Sequence, residues 1–236
     1  LYLNMSRLYW MELFSPDLVR PRGVIRGHMS LRGTRAQPLM DGQLLLEDFE
    51  GELPALGLSL SGGSGSLDAQ PDGSARVAFA VSTGGRGKMM VDGSLSWFGQ
   101  DTPLQLHIHG QDVLIANTPM LTATANPDLQ FGMDGATMVL RGEVDVTDAT
   151  LNLERFEQGV STSVDVVVVD PVDPEERRTA PLDMDLALVL SNDVVVTGYG
   201  MKGTTRGRLQ IRARPGHEMR ATGALDVGGR YRAYGQ

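Results

Sequence analysis

The residues that most resemble a chemical motif are Gly198, Gly200 and Gly203, a G-x-G-x-x-G spacing inside VVVTGYGMKG. They follow a β-branched run, and Glu218 lies twenty residues beyond Gly198, where a dinucleotide-binding unit would place an acid for the ribose. That chemistry requires the third glycine to open a helix whose free N–H groups hold the pyrophosphate. The following residues, TTRGRLQIRARPG, instead alternate Leu209, Ile211 and Ala213 with Arg208, Gln210, Arg212 and Arg214. Period two predicts a strand, so the glycines are read as strand and turn residues and no nucleotide cofactor is expected.

Other candidates fare no better. His107 and His109 share a strand face and could share a metal, because alternate residues point the same way. They lie on the polar face, and the chain has only two further histidines, so solvated histidines are the simpler reading and no metal is expected. Gly87-Lys88 lacks the glycine a P-loop needs, and there is no G-x-S-x-G elbow. Cysteine is absent, which removes thiol nucleophiles, thiolate metal sites and disulfides. The acidic pairs Asp183/Asp185 and Glu143/Asp145 read as solubilising outer-face residues. Arg206, Arg208, Arg212 and Arg214 form the one basic cluster and read either as a charged strand face that discourages edge aggregation or as a contact for anionic headgroups or a partner. No catalytic residue, cofactor or enzymatic activity is expected.

The elements that carry these residues are strands. VIRGHMSLRG places Ile25, Gly27, Met29 and Leu31 on one face, and KMMVDGSLSW repeats the pattern with Met89, Val91, Gly93, Leu95 and Trp97. TMVLRGEVDV does so with Met138, Leu140, Gly142, Val144 and Val146, and the segment after Met219 with Ala221, Gly223, Leu225 and Val227. Each has a glycine in register on the apolar face, where it lets a sheet bend or another backbone approach. Alternation continues in GQLLLED (Leu44, Leu46), ARVAFAV, PLQLHIHG (Leu104, Leu106, Ile108), PLDMDLALVL (Leu186, Leu188, Leu190) and RLQIRA (Leu209, Ile211). Only LYLNMSRLYWMELF looks helical, and a short helix is expected over 1–15 before Ser15-Pro16. DPVDPEERRTAP, residues 170–181, reads as a solvated, mobile loop.

Composition agrees with one sheet-forming array rather than a bundle: 29 Gly and 12 Pro accompany only 6% aromatic residues in 236. A net charge of −8 argues against a nucleic-acid partner. No run reaches the length of a membrane helix. One-sided strands without helices to cover them must close on a second sheet, curl around themselves, or hold a ligand.

Several segments carry a family resemblance: RGHMSLRGTRAQPLMDGQLLLEDFEGELPALGLSLS, DVLIANTPMLTATANPDLQF, LRGEVDVTDATLNLERF, PLDMDLALVLSNDVVVTGYGMKGTTRGRLQIRARPG and ATGALDVGGRYRAYGQ. Together they resemble the C-terminal domain of the TamB (translocation and assembly module) family, from about residue 16 to the end, with ANTP, NDVVVTGYG and GGRYRAYGQ the most specific pieces. The family is related to the AsmA-like, bridge-type lipid transfer proteins of Gram-negative bacteria. The resemblance implies an all-β chain curled into an open half-pipe, a β-taco, with an apolar interior, forming one unit over 1–236 of a larger periplasmic protein with its inner-membrane anchor elsewhere. It further implies phospholipid as cargo between inner and outer membrane, or, alternatively, outer-membrane protein assembly by strand addition with the barrel protein TamA. On that reading the apolar positions named above line a lipid groove, and Gly93, Gly142 and Gly223 lie on its concave side near the sharpest curvature.

Overall fold

The structure, a computed structural model, describes residues 2–9, 11, 17–34, 38–97, 103–158 and 181–231. The expected loop over 170–181 falls outside them except for Pro181. The chain forms one long, mixed, curled sheet with almost no helix. Its strands are β1 (Tyr2–Arg7), β2 (Val19–Gly33), β3 (Pro38–Leu53), β4 (Leu58–Ala69), β5 (Ser74–Ser82), β6 (Lys88–Ser96) and β7 (Leu104–Gly110). They continue as β8 (Val113–Asn117), β9 (Leu121–Asp134), β10 (Thr137–Asn152), β11 (Leu182–Gly198), β12 (Met201–Ala213) and β13 (Arg220–Tyr231). Neighbours follow chain order except at β8, which lies beyond the end of β7 and pairs with a different stretch of β9.

Local sequence explains the connections. Tyr199 and Gly200 join β11 to β12 with positive φ at both positions (51° and 77°), the backbone a two-residue hairpin needs. This is where the nucleotide-like glycines fall: Gly198 ends one strand and Gly203 lies inside the next. Among the described strands only β10 and β11 run parallel, and a parallel pair needs a crossover too long for a hairpin. The six-residue helix α1 (Leu153–Gln158) begins that crossover.

The N-terminal expectation is corrected. Residues 2–7 form a strand antiparallel to β2, not a helix. Leu3 and Met5 are half-buried while Tyr2, Asn4 and Ser6 are exposed, so period two outweighs the mixed spacings once an edge is available for pairing.

The long strands do not run straight. Register breaks fall between Val19 and Val24 in β2, Leu46 and Gly51 in β3, Ser61 and Ser64 in β4, Val146 and Thr150 in β10, and Leu190 and Val194 in β11. Arg20 and Asp48, non-glycine residues with φ of 54° and 50°, lie within two of them. An extra residue on one strand bends it and increases its twist. These breaks fall in two groups, on β2 to β4 and on β10 and β11, and together they mark a crease in the curled sheet. The strands β5 to β7 are short and leave a notch beyond the crease. β8 fills it, packing Leu114 against Gly84 and Gly85 and bringing Asn117 against Gly57.

The two cores lie along the crease. One contains Ala116, Ala123, Ala125, Val146, Ala149, Leu190 and Val194; the other contains Leu8, Leu18, Phe49 and Val81. Four of the seven buried residues of the first are alanines.

Candidate functional site

Cross-strand register places the apolar residues in continuous rows. One row runs Leu3, Gly27, Leu44, Leu67, Val77, Gly93, Leu106, Phe131, Leu140, Met184 and Ala213, eleven strands without a polar side chain. The adjacent row runs Met5, Ile25, Leu46, Gly65, Phe79, Val91, Ile108, Leu129, Gly142, Leu186, Ile211 and Ala221. Strands are about 4.8 Å apart, so ten steps along the first row make an apolar path of roughly 48 Å.

Accessibility divides the residues expected in the groove into three groups. Met29, Leu44, Leu46, Met89, Val91, Leu95, Trp97, Leu104, Leu106, Ile108, Met138, Leu140, Val144, Leu186, Leu188, Leu209 and Ile211 are half-buried. Val146 and Leu190 are buried in the crease. Leu31, Leu225 and Val227 are exposed, the first at the end of β2 and the others on the terminal strand β13.

At the β2–β5 side the rows deepen into an apolar cavity of about 510 Å³. Ile25, Leu44, Leu46, Leu67, Val77 and Phe79 are among its walls, and Met11, Leu18, Phe49, Leu53 and Leu60 also line it. Phe49 and Phe79 meet edge-to-face with ring centres 5.6 Å apart, a favoured aromatic geometry. Leu8 is fully buried in the core beside it. Phe79 and Phe131 obey the same alternation as their neighbours and were open to the same reasoning. Leu8 and Leu18 were not, because nothing local says that the chain before β2 doubles back onto this face.

The three named glycines share one geometry. A Cβ on Gly142 would sit 2.2 Å from the Asp128 carbonyl oxygen, and on Gly223 it would sit 2.1 Å from that of Arg208. Their φ values are 136° and 153°, a region that L side chains rarely adopt. Gly93, without unusual φ, has the Gln105 carbonyl oxygen 2.0 Å from its Cβ position. In each case the adjoining strand's carbonyl occupies the volume of the missing side chain. The register breaks that bend the strands lie elsewhere, at the crease.

The opposite face is polar and cross-linked. Arg26 pairs with Glu47 at 2.6 Å, Arg141 with Asp183 at 3.0 Å and Arg212 with Asp185 at 3.3 Å. Arg208 reaches over β11 to Glu143 at 2.8 Å, and Ala187, small and buried, lies on β11 opposite Glu143. Asp185 is held below the usual carboxylate range, first by the Gln210 amide that donates to it and then by the Arg212 and Arg141 charges, with burial opposing. Arg214 lies 3.8 Å from Asp183. Arg208, Arg212 and Arg214 of the basic cluster therefore each face a carboxylate.

Among the described residues no helix is long and apolar enough to cross a membrane. A family model, the TamB C-terminal domain, matches residues 76–236, more than half of the chain. No curated protein sequence and no solved structure matches.

Proposed function

This chain belongs to the TamB C-terminal domain family, and from that premise we propose that it is a periplasmic conduit carrying phospholipid acyl chains along its apolar face between inner and outer membrane. The observation that carries the reading is the uninterrupted row from Leu3 to Ala213. Exposing a chain of about sixteen carbons to water costs on the order of 12 kcal/mol at ~0.8 kcal/mol per methylene. A continuous apolar surface removes most of that barrier. Rows of aliphatic side chains grip no single atom, so cargo can advance instead of being trapped. On this reading Gly93, Gly142 and Gly223 keep the groove floor clear and let adjacent strands close up, while the line of register breaks sets the curl.

A second reading rests on β13. Its outer edge pairs with no strand among the described residues, and an unpaired edge is a template for another strand. This suits assembly of outer-membrane strands with the barrel protein TamA, the partner expected of the family. Lipid extraction and native mass spectrometry of the purified chain separate the two. Co-purifying phospholipid, with crosslinks from a photoreactive residue at position 106, is the expected result. A lipid-free chain that captures strand peptides through β13 would replace the conduit with the scaffold.

A further inference from the structure

We propose that the outer face carries a divalent transition-metal site built from His107, His109 and Asp92, with Asp128 completing or supporting it. The two histidines are alternate residues of β7, so both rings project from the same face and stack, with centres 4.5 Å apart and planes 17° from parallel. Asp92 lies directly opposite His107 on β6, and Asp128 directly opposite His109 on β9. The contacts cross these pairings: His109 Nε2 is 2.8 Å from Asp92 Oδ1, and His107 Nε2 is 2.8 Å from Asp128 Oδ1. Two imidazoles are thereby drawn between two carboxylates over three adjacent strands.

One ligand atom from each of Asp92, His107 and His109 lies within 4.8 Å of the others. Donors about 2.1 Å from a tetrahedral ion stand about 3.4 Å apart, so the set is near ligation distance before any ion arrives. Closing the difference takes small rotations of side chains that are only partly buried. The donor set also sets the metal class. Imidazole nitrogen suits zinc and its first-row neighbours, whereas magnesium and calcium require mainly oxygen ligands. Two neutral imidazoles and two carboxylates balance a dication. The site has open solvent on one side, which supplies both a route in and a position for water.

This placement gives the metal a structural role. β6, β7 and β9 are consecutive in the middle of the sheet, where β7 has only seven residues. A shared ion would tie these strands together on the face opposite the apolar rows and leave those rows untouched. The site is thus independent of the lipid reading and stands or falls separately.

The test is zinc titration of the metal-stripped, untagged 236-residue chain by calorimetry, with elemental analysis for stoichiometry and thermal melts with and without zinc. One zinc per chain is expected, with a zinc-dependent rise in Tm and no comparable response to magnesium. His107→Gln and His109→Gln should each weaken zinc by about tenfold or more, and Asp128→Asn by about 10–100-fold. His28→Gln, remote on β2, should change nothing. Circular dichroism confirms that the variants remain folded. Failure to bind one equivalent of zinc in a tenfold excess overturns the proposal, as does undiminished binding by the His107→Gln/His109→Gln double variant.

Discussion

Replacing Leu106 by glutamate distinguishes an open groove from a closed core. Leu106 is half-buried on the inner face, between Gly93 and Phe131 in its row. Full burial of a leucine is worth about 1.5–3 kcal/mol, so a half-buried one forfeits about 1 kcal/mol. Gly93 offers no side chain on one flank, and the new carboxylate keeps water on its open side. For a chain of this size that loss corresponds to about 2–4 °C in Tm. Ala125→Asp is the contrast. Ala125 has no exposed surface and lies in the crease with Val146 and Leu190, where an unpaired carboxylate costs at least ~3 kcal/mol. Its expected drop is about 6–12 °C.

The two variants should also differ in what they do to lipid. A passing acyl chain must strip part of the hydration from the carboxylate that Leu106→Glu introduces, at about 2 kcal/mol, or roughly thirtyfold in occupancy. Ser94→Glu, exposed on the other face of β6, is the control and should shift stability by no more than about 0.5 kcal/mol. Arg141 and Asp185 would be poor controls because each is held in ion pairs. Differential scanning calorimetry and phospholipid photocrosslinking on the same preparations provide the readout. If Leu106→Glu melts as far as Ala125→Asp, the apolar face is a closed core and the conduit argument fails. If it leaves lipid crosslinking at the level of Ser94→Glu, cargo does not pass this row.

Two further outcomes follow from local geometry. Gly142→Ala must move a carbonyl 2.2 Å away and hold φ near 136°, and should cost about 2–3 kcal/mol; Gly135→Ala, at φ 58° with open space around it, should cost only about 1 kcal/mol. Equal losses in urea unfolding would show that the Asp128 carbonyl does not constrain the site. Asp72 accepts from the Ser74 hydroxyl at 2.6 Å and from the Ser74 N–H at 3.0 Å, which lower its pKa from 3.8, the hydroxyl more than the N–H. A lowered folded pKa means that its contribution is complete above the unfolded value and is lost as pH falls through the folded one. The Tm gap between the chain and Asp72→Asn should therefore be constant near neutrality and close below pH 3.8; a gap unchanged in acid would remove the Ser74 contacts as its cause.

What could be read before folding, and what could not, divides at the difference between a face and a neighbour. Alternation assigns Leu106, Ile108, Leu140 and Leu188 to one face because period two is a property of a single strand. It cannot say that Leu106 stands between Gly93 and Phe131, since that depends on pairing with strands from other parts of the chain. The same gap hides the His–Asp cluster. His107 and His109 are visibly on one face, but Asp92 lies 15 residues before the first and Asp128 19 residues after the second, and only the β6–β7–β9 register brings all four together. The crease was hidden for a further reason. A bulge depends on one extra residue in one strand relative to its partner, so Arg20 and Asp48 leave no local signature beyond their own identity. Length played a part too: β5, β6 and β7 are too short to cross the crease, and the vacated strip has to be filled by a segment that pairs with β9. That segment, VLIAN, reads as a continuous apolar run rather than an alternating one, because Val113 and Ala116 are buried while Leu114 and Ile115 are half-buried between them. The apolar face is therefore written in the sequence as a periodicity, whereas the sheet's bend, its filled notch and its outer-face cluster exist only in how separate strands are matched.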